Sequence, residues 1–291
     1  MNVEGRPRLT RSRGFIRGEF SACTGRRSDV VNRGDILMPP GPASPVTADP
    51  GVSVRSAMDL EVLIPAYNEA VRLPATLRRT VEFLATQPWR SRVVVIDNGS
   101  VDETAAVARE AVRPVGQVEI SVIGCSRPGK GAAVRRGALT SASTFVGFFD
   151  ADLATPIETL AATMLHLRQG ATAVIASRHA PGARLVRPQP VGRGIGGAAF
   201  RRLTRQMVVG VHDTQCGFKF FERTAAQRAI RNTHLTGFAF DVELLANIQR
   251  AGGNIVELPV AWTDQAGSTF RPVRDGVSSF AGALALWAGS R

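Results

Sequence analysis

From Leu60 onward the chain alternates short apolar runs with longer stretches of helical spacing. Leu60 to Ile64 reads as a first strand, and Pro65-Ala66-Tyr67-Asn68-Glu69 breaks it into a loop. Pro74 to Thr86 sets Leu77, Val81 and Leu84 on one helical face, and Val93 to Ile96 is a buried strand ending in Asp97. Ser100-Val101-Asp102-Glu103 is a capping box that opens a helix to about Ala111. Val118 to Ile123 alternates as a third strand, and Gly129-Lys130-Gly131 opens a helix through Leu139. Phe145 to Phe149 is a fourth strand, running into Asp150-Ala151-Asp152. Thr155-Pro156-Ile157-Glu158 then supplies an N-cap threonine, an N1 proline and an N3 glutamate for the next helix. Ala171 to Ala176 is a fifth strand ending in Ser177-Arg178-His179. Ala180 to Gly192, rich in proline and arginine, reads as a mobile loop, followed by a helix from Gly196 to Val208. Asp213 to Phe221 is a turn entering a strand, with helices at Arg223 to Arg231 and Phe240 to Gln249 and a late strand from Asn254 to Val260. Strands alternating with helices imply parallel order and right-handed crossovers, so an α/β chain with a mostly parallel central sheet flanked by helices is predicted.

In such a sheet ligands gather at the carboxyl ends of the strands. Four strand ends carry polar groups: Pro65 to Glu69, Asp97 to Ser100, Asp150 to Asp152, and Ser177-Arg178. Aspartate is a poor strand former, so two at the end of an apolar strand call for a reason. One intervening residue lets both carboxylates reach a single cation, or one the cation and the other a ribose; the plainer reading is a strand followed by an acidic turn. The rim is acidic where a base, ribose and metal fit and cationic where phosphates fit, the division of a nucleoside diphosphate. Mg²⁺ is usually held by one or two carboxylates plus phosphate oxygens. No Gly-x-Gly-x-x-Gly or Walker A loop occurs, and Gly192 to Gly197 follows no strand, so neither dinucleotide redox chemistry nor ATP hydrolysis is indicated.

Residues 1–57 are rich in Arg, Gly, Pro and Ser and carry no periodicity. They are expected to form a disordered extension ahead of a single domain over 58–291. Acidic residues and the lack of an apolar segment argue against a targeting peptide. Met58, just before the first strand, is a candidate start of translation, which the mass of the native N-terminus checks. The 291 residues are 44% hydrophobic, enough for one large domain. A net charge of +12 suggests nucleic acid, an anionic membrane surface or a phosphate-rich substrate. Neither a basic helix with base-reading side chains nor an aromatic strand platform is present, so nucleic acid is not the expected partner. Of 36 Lys and Arg residues only Lys130 and Lys219 are lysine, as if those two places need a compact ammonium. The three cysteines are far apart, which supports neither a disulfide framework nor a zinc site; Cys216 reads as a small buried residue in a reducing compartment. No apolar run is long enough to span a bilayer; Val277 to Ala288 either covers the core or lies at a membrane interface.

Val62-Leu63-Ile64-Pro65-Ala66-Tyr67-Asn68-Glu69, Asp97-Asn98-Gly99-Ser100-Val101-Asp102, Gly129-Lys130-Gly131 and Asp150-Ala151-Asp152, in that order, resemble the family-2 inverting glycosyltransferases of GT-A fold. Asp213-Thr214-Gln215-Cys216-Gly217-Phe218-Lys219 and Phe238-Ala239-Phe240-Asp241-Val242-Glu243-Leu244-Leu245 resemble the branch that makes polyprenyl-phosphate sugars. Within it the dolichyl-phosphate glucosyltransferases are nearest and the dolichol-phosphate mannose synthases next. The resemblance covers roughly Leu60 to Trp262 and implies a Rossmann-like nucleotide-sugar-binding domain. It also implies roles. Pro65, Ala66, Tyr67 and Glu69 line the nucleotide pocket, and Asp97 hydrogen-bonds the base; Lys130, read from its place after a glycine at a helix start, either neutralises phosphate or is a solvated surface lysine. Asp150 and Asp152 hold Mg²⁺ or Mn²⁺ on the diphosphate, Arg178 and Arg193 grip the lipid phosphate, and Gln215 sits near the donor sugar. Two departures stand out: Asn98 where the family often has a second Asp, and no hydrophobic membrane segment.

The implied reaction is a single displacement that moves a hexose from UDP-glucose or GDP-mannose to a polyprenyl phosphate at the inner, cytoplasmic face of a membrane. A hydroxyl acceptor, as in polysaccharide assembly, would need a general base. A phosphate monoester, with a second pKa of about 6, is already largely ionised and needs cationic positioning, which fits Arg178, Arg193, Lys219 and Arg274. Asp241 stays open: it orients the donor sugar, acts as base, or caps the helix it precedes. Lys219 reads equally as an outward-pointing strand residue, and Trp262 and Phe270 contact lipid or cap the core. Arg271 and Arg274 touch acceptor phosphate or anionic lipid. His179, His212 and His234 read as loop or helix-end residues and not as ligands.

Overall fold

The strand pairings of the computed structural model, which describes residues 58–111, 115–186, 199–263 and 279–286, build a seven-stranded sheet in the order β3-β2-β1-β4-β7-β5-β8. The strands are β1 Leu60–Ala66, β2 Ser91–Asp97, β3 Val118–Gly124, β4 Phe145–Phe149, β5 Ala173–Ser177, β7 Phe218–Glu222 and β8 Ile255–Pro259. A parallel two-stranded ribbon joins β6 Arg184–Leu185 to β9 Ala261–Trp262. The helices are α1 Leu73–Ala85, α2 Thr104–Glu110, α3 Lys130–Thr140, α4 Thr159–Arg168, α5 over residues 199–204, α6 Arg223–Arg231 and α7 Phe240–Arg250. The expected extension over 1–57, and Arg193, Phe270, Arg271 and Arg274, lie outside the described residues.

The sheet is mostly parallel, as expected, with one exception: β7 runs antiparallel to both β4 and β5 and lies between them. Alternation sends successive side chains to opposite faces, and two cores result. Phe149, Phe218 and Phe220 join β1, α1 and α4 residues in one. Phe148 and Phe221 join α3, α6 and α7 residues in the other. Helical residues 279–286 cover this second core, with Ala283 buried and Phe280 edge-on to Phe200 at 5.2 Å. No described helix is long and apolar enough to cross a membrane.

Several local expectations are corrected. β1 continues through Pro65 and Ala66, pairing them with Ile96 and Asp97. Its pairing with β4 ends at Leu63, so Pro65 is paired on one side only, the setting in which a strand tolerates proline. The capping box does not form: α2 starts at Thr104, and Ser100 Oγ accepts the Asn68 N–H instead. Thr155 does not cap α4, which begins at Thr159 after a turn of i+3 bonds from Pro156. Part of the expected loop after Ala180 is the β6 strand, which finds its partner more than seventy residues downstream (Arg184↔Ala261).

Gly147 of β4 is paired with Phe220 of β7, and a Cβ on it would stand 2.1 Å from the Phe220 ring and 2.5 Å from the Lys219 carbonyl oxygen. The backbone atom cannot give way. Gly147→Ala is therefore expected to cost about 1–3 kcal/mol or more, read as a lower urea midpoint at unchanged m-value.

Candidate active site

The carboxyl ends of β1, β2 and β4 form the predicted rim. The segment after β1 is clamped to the approach to α2. Asn68 takes a left-handed φ of 55°, and its Oδ1 accepts the Val101 N–H at 3.0 Å. The Glu69 N–H donates to Thr104 Oγ1 at 2.7 Å and that of Ala70 to Asp102 Oδ2 at 3.2 Å. Tyr67 is left exposed while Ala66 and Glu69 are buried. The Arg72 guanidinium forks onto Glu69, with Nε at 2.7 Å and Nη2 at 2.5 Å, and its Nη1 lies 4.0 Å from Asp152. Burial leaves the Glu69 carboxyl above its usual range; Arg72 opposes that shift, and Asp152 and Asp150 reinforce it.

At the end of β2, Asp97 accepts the Ser100 N–H at 3.2 Å. Asn98 uses both ends of its amide. Its Nδ2 donates to the carbonyls of Cys125 and Arg127, at 3.1 and 2.7 Å, and its Oδ1 accepts the Gly129 N–H at 2.7 Å. An aspartate could make only the last of these. Asn98 thus ties β2 to the start of α3, where Lys130 stands.

After β4, Lys130 Nζ lies 2.5 Å from Asp150 Oδ1. Burial opposes the Lys130 charge, but Asp150, Asp241 and Asp152 outweigh it and raise its pKa. Asp152 Oδ1 accepts the Ala154 N–H at 3.1 Å; burial first, then Asp150, pushes its pKa up. Gly217 makes room for this arrangement, since a Cβ there would fall 1.8 Å from Asp150 Oδ2. Asp150, Asp152, Gly217 and Trp262 line one small cleft. Among the described residues no group of three or more His, Cys, Asp or Glu is placed to hold a metal. The donor set nonetheless suits a divalent ion shared with phosphates, because two carboxylates suffice there and both reach solvent, 43% and 23% exposed.

Across the cleft, Arg178 Nε and Nη2 grip Asp213 at 2.7 and 2.9 Å, with the guanidinium over the Trp262 ring at 5.4 Å. Burial opposes both charges, yet each holds the other: Arg178 is raised and Asp213 is pressed far below the usual carboxylate range. Glu257 accepts the N–H groups of His212 and Asp213, and the Gln215 N–H donates to Asp213 Oδ1 at 3.1 Å. His212 and His234 are loop residues against Glu257 and Glu243, as their reading implied. Cys216 is buried, and that burial pushes its thiol up to about 11.

The structure therefore brings Glu69, Lys130, Asp150 and Asp152 together, with Pro65, Ala66, Tyr67 and Asp97 along the same rim. Two expectations are corrected. Lys219, expected at an acceptor phosphate, is 0% exposed and lies 2.9 Å from Asp241. Alternation in β7 turns it inward, onto α7 rather than to solvent. Asp241 does not cap α7 either: it lies inside the first turn, and Ala239 holds the cap position. Sequence reasoning missed Arg72, Gly217 and Asp213 as parts of the site. Glycine before an alternating aromatic strand was a signal for Gly217; nothing local pairs Asp213 with Arg178, 35 positions away.

The family model described as "Glycosyl transferase family 2" matches residues 61–229. The dolichyl-phosphate beta-glucosyltransferase of Dictyostelium discoideum is 33% identical over 226 residues, covering 73% of this chain and 69% of that protein. The Homo sapiens protein of the same name is 34% identical over 227 residues, covering 73% and 70%. Glucosyl-3-phosphoglycerate synthase from Mycobacterium tuberculosis, in complex with uridine-diphosphate, shares the fold with a TM-score of 0.59 at 18% identity, over 78% of this chain and 79% of that one. The same synthase with Mn²⁺, uridine-diphosphate-glucose and phosphoglyceric acid gives 0.57 at 18% identity, over 78% and 79% of the two chains. The mostly parallel, helix-flanked sheet is the expected GT-A architecture.

Because the folded pKa of Asp213 is depressed, its contribution is present above the unfolded value of about 3.9 and is lost as pH falls. Asp213→Asn also strands a buried guanidinium. It should cost about 3–5 kcal/mol at pH 7 by chemical denaturation, with the gap to wild type narrowing toward pH 3.

Proposed function

We propose that this chain, which belongs to glycosyl transferase family 2, transfers a hexose from a nucleoside diphosphate sugar to a polyprenyl phosphate of dolichyl type, with inversion. Glucose from UDP-glucose is the favoured donor group, since the relatives above are named for glucosyl transfer to dolichyl phosphate; mannose from GDP-mannose is the alternative. The observation that carries the reading is the Asp150–Asp152 pair at the end of β4, open to solvent and facing Lys130.

In this reading Asp97 meets the base, and Pro65, Ala66, Tyr67 and Glu69 line the nucleotide. Asp150 and Asp152 hold Mg²⁺ or Mn²⁺, with Lys130 close by to face the diphosphate. Bound there, the ion supplies charge stabilisation to the departing diphosphate. Gln215, whose N–H is tied to Asp213, borders the donor sugar. Arg178 orients the acceptor phosphate from its fixed place on Asp213 and Trp262, with Arg193 and Arg274 as further cations for the same task. An ionised phosphate attacks without losing a proton, so no base is required. Asp241, 2% exposed, is out of an acceptor's reach, which agrees with that economy. The acceptor's chain requires a lipid surface, and we assign the work to the cytoplasmic, inner face of a membrane.

A screen of UDP-glucose and GDP-mannose with Mg²⁺ or Mn²⁺ and a short polyprenyl phosphate should yield lipid-linked sugar from one donor. Product formed only on hydroxyl acceptors would overturn the acceptor assignment. Exhaustive chelation should abolish turnover, and activity that survives it counts against the metal role. Asp152→Asn should lower kcat by at least about 100-fold. The same change removes a carboxylate whose raised pKa costs stability as pH rises, so the metal-free variant should melt no lower than wild type at pH 7.

A further inference from the structure

The only two lysines of the chain converge on one ring. Lys130 on α3 and Lys219 on β7 both carry their ammonium over Phe148, at 5.3 and 5.6 Å from its centroid. Each ammonium meets a different aspartate: Lys130 Nζ is 2.5 Å from Asp150 Oδ1, and Lys219 Nζ is 2.9 Å from Asp241 Oδ1. Lys219 also donates to the Cys216 carbonyl. Asp241 in turn is near enough to Lys130 to favour its charge. The outer pair reaches the rim; the inner pair is buried, 0% and 2% exposed.

A buried ion pair is a poor device for stability alone, since an apolar pair of similar volume does as well or better. Asp241 Oδ1 moreover receives no aligned hydrogen bond, although Lys219 lies within ion-pair distance of it. A buried carboxylate oxygen so placed is costly to keep. In a chain that otherwise draws its positive charge from arginine, two compact ammoniums at one ring point to a geometric demand.

We propose that Lys219 and Asp241 are positioning residues, the inner half of an alternating row Lys219–Asp241–Lys130–Asp150 that fixes the Lys130 ammonium over Phe148 and against the rim. Lys219 holds the Asp241 carboxylate in place. Asp241 draws the Lys130 ammonium from behind, and Asp150 draws it from the front. Lys130 thereby meets a donor already oriented, a preorganisation that lowers the cost of binding. Its bearing on turnover rests on the transferase reading above; the row itself does not.

The scarcity of lysine makes the test direct. Full-length chain labelled with ¹⁵N-lysine carries two side-chain ammonium signals, observed with no nucleotide present. The Lys219→Met/Asp241→Leu variant removes both inner charges at similar volume. If the row positions Lys130, the remaining ammonium signal shifts and its hydrogens exchange with water about ten-fold faster or more. In the donor assay KM for the nucleotide sugar then rises about ten-fold, with a smaller change in kcat. A folded double variant with the wild-type Lys130 signal and wild-type KM overturns the proposal, because a packing pair would be replaced without trace. Should the double variant fail to fold, Asp241→Asn reads the same signal with one isosteric change. Absent turnover in the wild type would count against the transferase reading alone, since the ammonium signal still decides the row.

Discussion

Carboxylates crowd the carboxyl ends of the sheet, and four of them are answered by a close cation. Glu69 has Arg72, Asp150 has Lys130, Asp213 has Arg178 and Asp241 has Lys219. Taking a charge out of water costs several kcal/mol per ion unless a partner is placed with good geometry. The rim can be acidic enough to attract a cation only because these partners keep the surrounding charge in check. Asp152 is held less closely. Its nearest described cation is Arg72 at 4.0 Å, and its pKa is pushed up by burial and by Asp150. Asp152 is thus an acid that a divalent ion would relieve.

That pattern depends on the reversal of β7. An antiparallel strand between β4 and β5 carries Lys219 inward and sets Gly217 beside Asp150. The close approach demands glycine at 147 and 217, where any Cβ would collide with Phe220 or with Asp150 itself. Fold and site are therefore specified by the same residues. The strand that fills the sheet also delivers a charge to one of its faces.

The loops of the rim are held as firmly as the strands. Asn98 fixes the start of α3, Glu257 gathers the N–H groups before Asp213, and Glu243 does the same for His234 and Leu235. Carboxylates that accept two backbone donors turn flexible connections into defined geometry, because buried backbone groups must be paired. Of the residues offered to ligands, Asp97 and Lys130 flank the Asn98 clamp, and Arg178 is held by Asp213. Family membership and this anchored acidic rim converge on nucleotide-sugar chemistry.

The sequence by itself determined the alternation of strands and helices, the mostly parallel sheet and the rim residues from Pro65 to Asp152. Hydrophobic periodicity and short polar motifs are local properties, legible within windows of a few residues. Phe145 to Phe149 ending in two aspartates placed both acids at the carboxyl end of a strand, and the other motifs made that end a candidate site. Only the tertiary structure decided the antiparallel sense of β7, the β6–β9 ribbon, and which cation answers which acid. Thr155 and Ser100 looked like helix caps because their neighbours fit the pattern, but distant groups claimed their hydroxyls. Lys219 read as an outward residue or a phosphate ligand because strand alternation gives two faces without saying what covers either. The burial of a charge is settled by partners far away in the chain, and short-range pattern carries no information about them.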